Sequence, residues 1–198
     1  MPELSVSVLA VVLGAYLIGS LSSAVILCKV AGLPDPRTQG SGNPGATNVL
    51  RMGSKRLAAL VLLLDVLKGV IPVLIGHLLG FDMTVLAFVA LFAFLGHLYP
   101  VFFQFRGGKG VATALGAFLA LSPVLAGVGL LTWLLVFAVS RISSLSAITA
   151  TALTPVYACW LIDSIFARWI ILLIALLLLW RHRGNIQRLL AGEEPKSG

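Results

Sequence analysis

The sequence predicts an all-α integral membrane protein with seven transmembrane helices. Hydrophobic residues make up 59% of its 198 residues and charged residues only 11%, whereas an ordinary soluble domain has about 25% charged residues. The apolar residues occur in runs long enough to cross a bilayer as helices, in which every backbone polar group finds a partner within its own segment. The basic residues gather in a few connecting loops, as in polytopic membrane proteins.

Six apolar runs define the candidate helices. They cover residues 5–27, 57–79, 84–104, 111–139, 145–161 and 165–180. The fourth run is too long for one comfortable span, and Ser122-Pro123 interrupts it with a pair that commonly ends one helix and starts the next. We therefore expect separate helices at 111–121 and 124–139, of which the first is short enough to be tilted or partly re-entrant.

The distribution of Lys and Arg predicts the orientation, because short cytoplasmic loops of membrane proteins are enriched in basic residues. With seven helices, 12 of the 14 basic residues fall on one face. They are Lys29, Arg37, Arg51, Lys55, Arg56, Arg106, Lys109, Arg141, Arg181, Arg183, Arg188 and Lys196. With six helices, the arginines after the last apolar run would lie outside. We therefore predict an external N-terminus, a cytoplasmic C-terminus and one membrane domain over residues 1–198.

A first polar segment, residues 40–51, reads GSGNPGATNVLR. Its small residues let backbone N–H groups approach an anion closely, and Ser41 and Arg51 add a hydroxyl and a fixed charge. The segment also matches G-x-G-x-x-G, but no strand precedes it, so we reject a dinucleotide site. A turn-rich connector remains the alternative for this segment taken alone.

A second polar segment, residues 106–113, reads RGGKGVAT and stands immediately before a predicted helix. The unpaired N–H groups and the positive end of that helix favour an anion site. A Walker A loop is excluded, since Phe103 stands where its first glycine belongs and Gly110 follows Lys109. The alternative for this segment is a flexible turn that carries positive charge for orientation.

A third polar segment, residues 181–194, reads RHRGNIQRLLAGEE and follows the last apolar run. One interpretation is an anchor for anionic lipid headgroups. The other is catalytic, because His182 and Asn185 are three residues apart and share a helical face. A histidine also changes protonation near neutral pH more easily than any other side chain.

Asp65, Lys68 and His97 are ionisable residues within the predicted helices, where such groups are costly and usually functional. Asp65 and Lys68 are three residues apart, so they bind a ligand or pair with each other. His97 lies near the end of its apolar run, where it is packed or reaches the inner site.

One further pattern is misleading. His77 and Asp82 match the H-x-x-x-x-D signature of the acyl-CoA-dependent glycerolipid acyltransferases. The predicted topology places both residues on the face opposite the basic loops, where phosphate-binding partners are lacking. We interpret the match as accidental.

Taken together, the three polar segments resemble the three cytoplasmic motifs of the bacterial acyl-phosphate-dependent glycerol-3-phosphate acyltransferases, the PlsY family. The contexts LLLDVLKG and GHLYPVFFQFRGGKG are also similar to that family. The resemblance implies transfer of a fatty acyl group from acyl phosphate to the sn-1 hydroxyl of glycerol 3-phosphate, giving lysophosphatidic acid and inorganic phosphate. It further implies a multi-pass protein of the bacterial inner membrane whose active site faces the cytoplasm.

The resemblance also implies the site residues. The expected catalytic residues are Ser41, Arg51, Lys109, His182 and Asn185. The expected substrate-binding residues are Gly42, Asn43, Gly45, Thr47, Asn48, Lys68, His97, Gly107, Gly108 and Gly110. Because acyl phosphate is already activated, such an enzyme needs positioning and charge stabilisation more than a covalent nucleophile.

The expected partners are glycerol 3-phosphate, acyl phosphate and membrane lipids. We expect no nucleic acid, because loop orientation accounts for the net charge of +7. Cys28 and Cys159 are the only cysteines and have no His or Cys at metal-ligand spacing, so we expect neither a metal nor a cofactor. The rival function is a phosphate or organic-phosphate transporter, which would place its binding groups near the midplane, often within repeated halves.

Overall fold

The computed structural model describes residues 6–196, which contain helices and no strand. The chain divides between Leu121 and Ser122 into two compact units. Helices of the first unit are α1 Val6–Gly19, α2 Ser23–Val30, α3 Ala46–Arg51, α4 Lys55–Leu78, α5 Met83–Leu98 and α6 Val111–Leu121. Helices of the second unit are α7 Pro123–Ser140, α8 Ser143–Leu161, α9 Ile165–Arg181 and α10 Arg183–Leu190.

Within the described residues, four helices are long and apolar enough to cross a membrane, or up to six spans if each bent pair counts as one. The long helices are α4, α5 extended by the turn that follows it, α7 and α8, and the bent pairs are α1 with α2 and α9 with α10. Helix α6 is apolar but shorter. The structure is therefore that of a multi-pass helical protein, while seven spans and the orientation of the termini stay predictions.

The predicted continuous helix over residues 5–27 is wrong, because α1 and α2 are separate and bent by 44°. The break falls in a run of serines. The buried Ser20 donates both its hydroxyl, at 2.8 Å, and its N–H, at 2.9 Å, to the Tyr16 carbonyl, and such back-bonding often bends helices. Ser22 then takes an extended conformation as the N-cap of α2.

Glycines let the helices of the first unit approach to backbone contact, a device common in membrane bundles. A Cβ added to Gly69 of α4 would collide with the α6 backbone, and one added to Gly116 of α6 would collide with the α4 backbone. Gly19 of α1 and Gly96 of α5 lie equally close to the facing main chain. The four helices therefore form two close crossings that fix the frame of this unit.

The predicted third helix, 84–104, also ends early, because α5 stops at Leu98. Pro100 lacks an N–H group and disfavours helical backbone at Tyr99. The chain continues as a short 3₁₀ turn over Val101–Phe103. Tyr16 of α1 donates its hydroxyl to the Tyr99 carbonyl at 2.7 Å, so the freed acceptor has a partner.

The predicted break at Ser122 is confirmed. Helix α6 ends at Leu121, and the Ser122 hydroxyl caps α7 by accepting from the Leu125 N–H at 3.3 Å. Pro123 occupies the first turn of α7, where its missing N–H and its fixed φ are tolerated best. In the second unit, α9 and α10 are bent by 56° at His182.

We expect Gly116→Ala to destabilise the protein by about 1–3 kcal/mol, because the added methyl group overpacks the contact between α4 and α6. The measurement is the thermal unfolding midpoint in detergent. Gly14→Ala in α1 is the matched control, since nothing lies within 4 Å of its added Cβ. Equal midpoints for the two variants would contradict the close crossing.

Candidate active site

The first polar segment is organised around the side chain of Asn48, which is 1% exposed. Its amide nitrogen donates to the carbonyls of Pro36 and Gln39 at 2.8 and 3.0 Å. Its amide oxygen accepts the Ser41 N–H at 3.0 Å. The amide thus pins the loop from both sides, and the structure gives Asn48 a positioning role. A direct contact of Asn48 with a substrate stays a prediction.

The loop conformation requires glycine at position 40. Gly40 has φ +56°, and an added Cβ would meet the Asn48 amide oxygen. Ser41 and Arg51 remain exposed on this loop and on the last turn of α3. Asn43 and Thr47 are half-buried between them. The predicted hydroxyl and guanidinium are therefore accessible to a ligand.

Arg37 joins the segment just before the first loop to the 3₁₀ turn just before the second. Its guanidinium pairs with Asp35 at 2.7 Å and also donates to the Phe103 carbonyl at 3.3 Å. The hydrogen bonds from Arg37 lower the pKa of Asp35, and the same pairing raises the pKa of Arg37. Both groups are thus charged at neutral pH and hold the segment before Gly40 against the 3₁₀ turn.

A cleft of about 230 Å³ opens between these loops. Its lining residues are Asp35, Arg37, Thr38, Gly42, Pro44, Gln104, Arg106 and Gly107. Two of them, Gly42 and Gly107, come from different predicted motifs, so the structure does bring these motifs together. The sequence analysis missed Arg37 and Arg106 as cleft residues. A signal was present, since both belong to the basic set and Arg106 opens the second polar segment.

The second polar segment rests on the end of α5. The Gly108 N–H donates to the His97 carbonyl at 3.2 Å. A Cβ on Gly107 would strike that carbonyl, and a Cβ on Gly108 would strike Nε2 of the His97 ring. Gly110 has φ +91° and lies directly before α6. The backbone at these three glycines therefore has a defined conformation that other residues would disturb.

Lys109 lies half-buried within this segment, one residue before Gly110 and two before the first turn of α6. The first N–H groups of a helix lack partners within it and carry partial positive charge. Such a helix start, with a lysine beside it, favours a phosphate. Phosphate binding by Lys109 stays a prediction.

Asp65 and Lys68 form an ion pair at 2.8 Å, with both side chains at most 5% exposed. The Lys68 ammonium also donates to the Leu21 carbonyl at 2.9 Å. Nδ1 of His97 lies 3.8 Å from the Asp65 carboxylate, and His97 is 7% exposed. Of the two interpretations of Asp65 and Lys68, mutual pairing is the one that the structure displays. Substrate binding by Lys68 or His97 stays a prediction.

The third polar segment lies in the second unit, where His182 and Asn185 are both buried. Nδ1 of His182 is 2.9 Å from the Leu178 carbonyl. A carbonyl only accepts, so Nδ1 carries the proton in this contact, and the lone pair of a neutral ring then resides on Nε2. The structure thus selects the tautomer that a general base at Nε2 requires.

Glu194 organises this segment and was missed by the sequence analysis, although it lies inside the quoted motif. Its carboxylate accepts from Ser144, Asn185 and Arg188 at 2.6–2.7 Å. Burial by itself raises the pKa of Glu194, but the hydrogen bonds and the charge of Arg188 outweigh it, so the pKa is lowered. The ionised carboxylate consequently fixes the Asn185 side chain.

His77 and Asp82 have structural partners. The Asp82 carboxylate caps α5 by accepting from the N–H groups of Thr84 and Val85, and His77 Nε2 lies 2.9 Å from the Ala120 carbonyl. His77 lies in the last turn of α4 and Asp82 lies just beyond its end, whereas the first polar segment precedes the other end of this 24-residue helix, which is about 36 Å long at 1.5 Å per residue. The H-x-x-x-x-D match therefore lies far from the cleft.

A family model described as Glycerol-3-phosphate acyltransferase matches residues 9–192. The protein of that name from Thioalkalivibrio sulfidiphilus (strain HL-EbGR7) is 59% identical over 192 residues, covering 96% of this chain and 93% of the relative. The one from Methylobacillus flagellatus (strain ATCC 51484 / DSM 6875 / VKM B-1610 / KT) is 54% identical over 187 residues, with 94% and 95% covered.

The fold is also similar to crystal structures of PlsY (YgiH), an integral membrane glycerol 3-phosphate acyltransferase. Its glycerol 3-phosphate form superposes with a TM-score of 0.92 at 44% identity, covering 97% of this chain and 96% of that one. Its lysophosphatidic acid form gives 0.89 at 43% identity, with the same coverage.

The helical fold, the polar loops and these similarities define the class of the protein as an acyltransferase embedded in a membrane. The chain belongs to the glycerol-3-phosphate acyltransferase family. The resemblance seen in the sequence is confirmed, and the transporter alternative is set aside.

We expect Glu194→Gln to lower the thermal midpoint at pH 7, because it removes charged hydrogen bonds worth about 1.5–3 kcal/mol each. The lowered pKa means that this stabilisation is present above the ordinary value of 4.5 and is lost as pH falls through the folded-state value. The midpoints of the wild type and the variant should therefore converge in acid. Glu193→Gln at the exposed neighbouring carboxylate is the control, and a difference that persists unchanged below pH 4.5 contradicts this account.

Proposed function

We propose that this acyltransferase uses acyl phosphate as its donor and acylates the sn-1 hydroxyl of glycerol 3-phosphate. The products are lysophosphatidic acid and inorganic phosphate. The proposal includes seven spans, an external N-terminus and an active site on the cytoplasmic face of the bacterial inner membrane. The orientation is supported by the placement of 12 of the 14 basic residues on one predicted face.

The observation that carries this proposal is the pairing of two anion-binding loops in one unit. Arg37, just before the first loop, donates to the carbonyl of Phe103, just before the second, and Gly42 and Gly107 of the two loops line one cleft. Both proposed substrates carry a phosphate, so two adjacent phosphate-binding segments suit this reaction better than one. The glycerol 3-phosphate and lysophosphatidic acid forms of PlsY support the choice of acceptor and product.

In this proposal, Lys109 and the backbone around Gly107, Gly108 and Gly110 hold one phosphate. Ser41, Asn43 and Arg51 hold the second phosphate or the oxyanion that forms at the acyl carbon. Gly42, Gly45 and Thr47 let the first loop close around that group. Preorganised charges and N–H donors of this kind stabilise developing negative charge without reorganisation. The exposed Ser41 and Arg51 support this division.

The reaction then needs one proton transfer. The sn-1 oxygen forms a bond to the acyl carbon, the bond between that carbon and the phosphate oxygen breaks, and phosphate departs. The hydroxyl proton passes to Nε2 of His182 or to a substrate phosphate. Asn185, held by Glu194, orients the hydroxyl. The donor is already activated, so the proposed steps include no covalent enzyme intermediate.

The donor is tested with purified protein in detergent. We expect phosphate release from palmitoyl phosphate only when glycerol 3-phosphate is present, with lysophosphatidic acid as the second product. Palmitoyl-CoA is the matched donor control and should support no turnover. Turnover with palmitoyl-CoA but not with palmitoyl phosphate would overturn the proposed donor, and phosphate flux into vesicles without turnover would favour a transporter.

The base is tested with His182→Gln. We expect kcat to fall by about 10²–10⁴-fold, the usual contribution of a positioned base, and the acidic limb of the pH profile to disappear. His77→Gln, at the far end of α4, should keep wild-type kcat. Near-normal turnover of His182→Gln would assign the proton to a substrate phosphate instead, while a raised KM with unchanged kcat would assign His182 to binding.

A further inference from the structure

The buried cluster of Asp65, Lys68 and His97 joins three parts of the first unit. The Asp65 carboxylate faces Lys68 at 2.8 Å on its own helix and His97 Nδ1 at 3.8 Å on α5. All three side chains are at least nine-tenths buried. The steps proposed for the acyl transfer leave this cluster without a function.

The ring of His97 forms part of the floor beneath the second polar segment. Gly108 lies so close to Nε2 that a Cβ would not fit between them. The same residue accepts the Gly108 N–H through its carbonyl at 3.2 Å. His97 therefore contacts Gly108, the residue before Lys109, through both its ring and its backbone. A change in the ring orientation must move Gly108.

Asp65 is placed to bias that orientation electrostatically, because its carboxylate lies 3.8 Å from Nδ1, beyond hydrogen-bond distance, while Gly108 lies against Nε2 on the opposite side of the ring. Lys68 in turn balances the Asp65 charge and satisfies the Leu21 carbonyl, which the break between α1 and α2 leaves without a helical partner. The cluster thus connects the break in the first span, the middle of α4 and the glycine segment. Such a chain of contacts serves more than local packing, since an apolar set would fill the same space without charge.

We propose that Asp65, Lys68 and His97 are positioning residues that set the backbone of Gly107, Gly108 and Lys109 for phosphate, with Asp65 acting through His97. The inference rests on the proposed phosphate-binding function of that segment. It assigns Lys68 and His97 to the support of the loop rather than to contact with a substrate. The affected quantity is the affinity for the one substrate whose phosphate this loop binds.

The main test is His97→Gln, which keeps a polar side chain but removes the ring. KM should rise at least about tenfold for one of the two substrates and stay within about twofold for the other, which a general loss of stability would not produce. His77→Gln is the control, because it makes the same substitution at an exposed histidine of the same unit, which contacts the Ala120 carbonyl rather than the second polar segment. Both of its KM values should be unchanged.

Asp65 requires a compensated variant, because Asp65→Asn alone leaves the buried Lys68 ammonium without its counterion. The double variant Asp65→Asn/Lys68→Gln removes both charges and keeps a donor for the Leu21 carbonyl. It should raise the same KM as His97→Gln. Adding His97→Gln to it should raise that KM by less than about twofold more, because residues that act through one another are not additive.

Hydrogen exchange of residues 106–110 supplies a readout that does not depend on turnover. We expect exchange in this segment to speed up at least about tenfold in His97→Gln and not in His77→Gln. If the wild type showed no acyl transfer, the proposed function would be wrong, but the exchange of residues 106–110 would still test the positioning role. Unchanged exchange together with KM values within twofold would overturn the positioning role, as would equal increases in both KM values with a lowered thermal midpoint.

Discussion

The ammonium group of Lys68 is buried among apolar helices, and contacts from several parts of the first unit compensate its charge. Removing a charge from water is expensive unless the group is paired and its donors are used. Asp65 supplies the counterion at 2.8 Å, and the Leu21 carbonyl accepts at 2.9 Å. The Leu21 carbonyl is available as an acceptor only because the first span is interrupted. The break in the helix therefore supplies an acceptor for the buried ammonium, and the ammonium supplies a donor for the freed carbonyl.

The same set of contacts extends to the loops that we propose bind the substrates. Asp65 faces His97, and His97 lies under Gly108 with no room for a side chain between them. On the other side of the cleft, Asn48 holds the first loop, and Arg37 ties that loop to the turn after α5. Each glycine-rich segment is therefore held by a buried or paired polar side chain. Preorganisation of this kind suits a reaction whose substrate is already activated.

Much of the fold was predictable because membrane insertion is governed by local composition. Runs of apolar residues identified the helices, and Ser122-Pro123 identified a break that the structure confirms. The break near Ser20 and the early end of α5 at Leu98 were not predicted. At both places the freed carbonyl is satisfied by a polar partner that is remote in sequence, Lys68 for Leu21 and Tyr16 for Tyr99. A hydropathy profile averages over such positions, so it shows one continuous apolar run where the structure has a break.

The three motifs were evident from the sequence, and the family that they indicated is confirmed. Their internal organisation was not evident. The sequence listed Asn48 among residues that bind substrate, whereas its amide is occupied by three backbone groups. It passed over Glu194, whose function emerges only when Ser144 and Asn185 are seen to share its carboxylate. Hydrogen-bond partners separated by many residues leave no periodic signal in a single chain.

The sequence by itself determined that this is a helical membrane protein of the glycerol-3-phosphate acyltransferase family, and it placed the proposed phosphate-binding residues in the loops. Those properties follow from hydropathy, from the placement of charge and from residues that lie next to one another in the chain. The tertiary structure alone decided which polar side chains support the loops and which are exposed to a ligand. That distinction depends on distances between residues far apart in sequence, such as His97 to Asp65 and Arg37 to Phe103, and folding is what sets them.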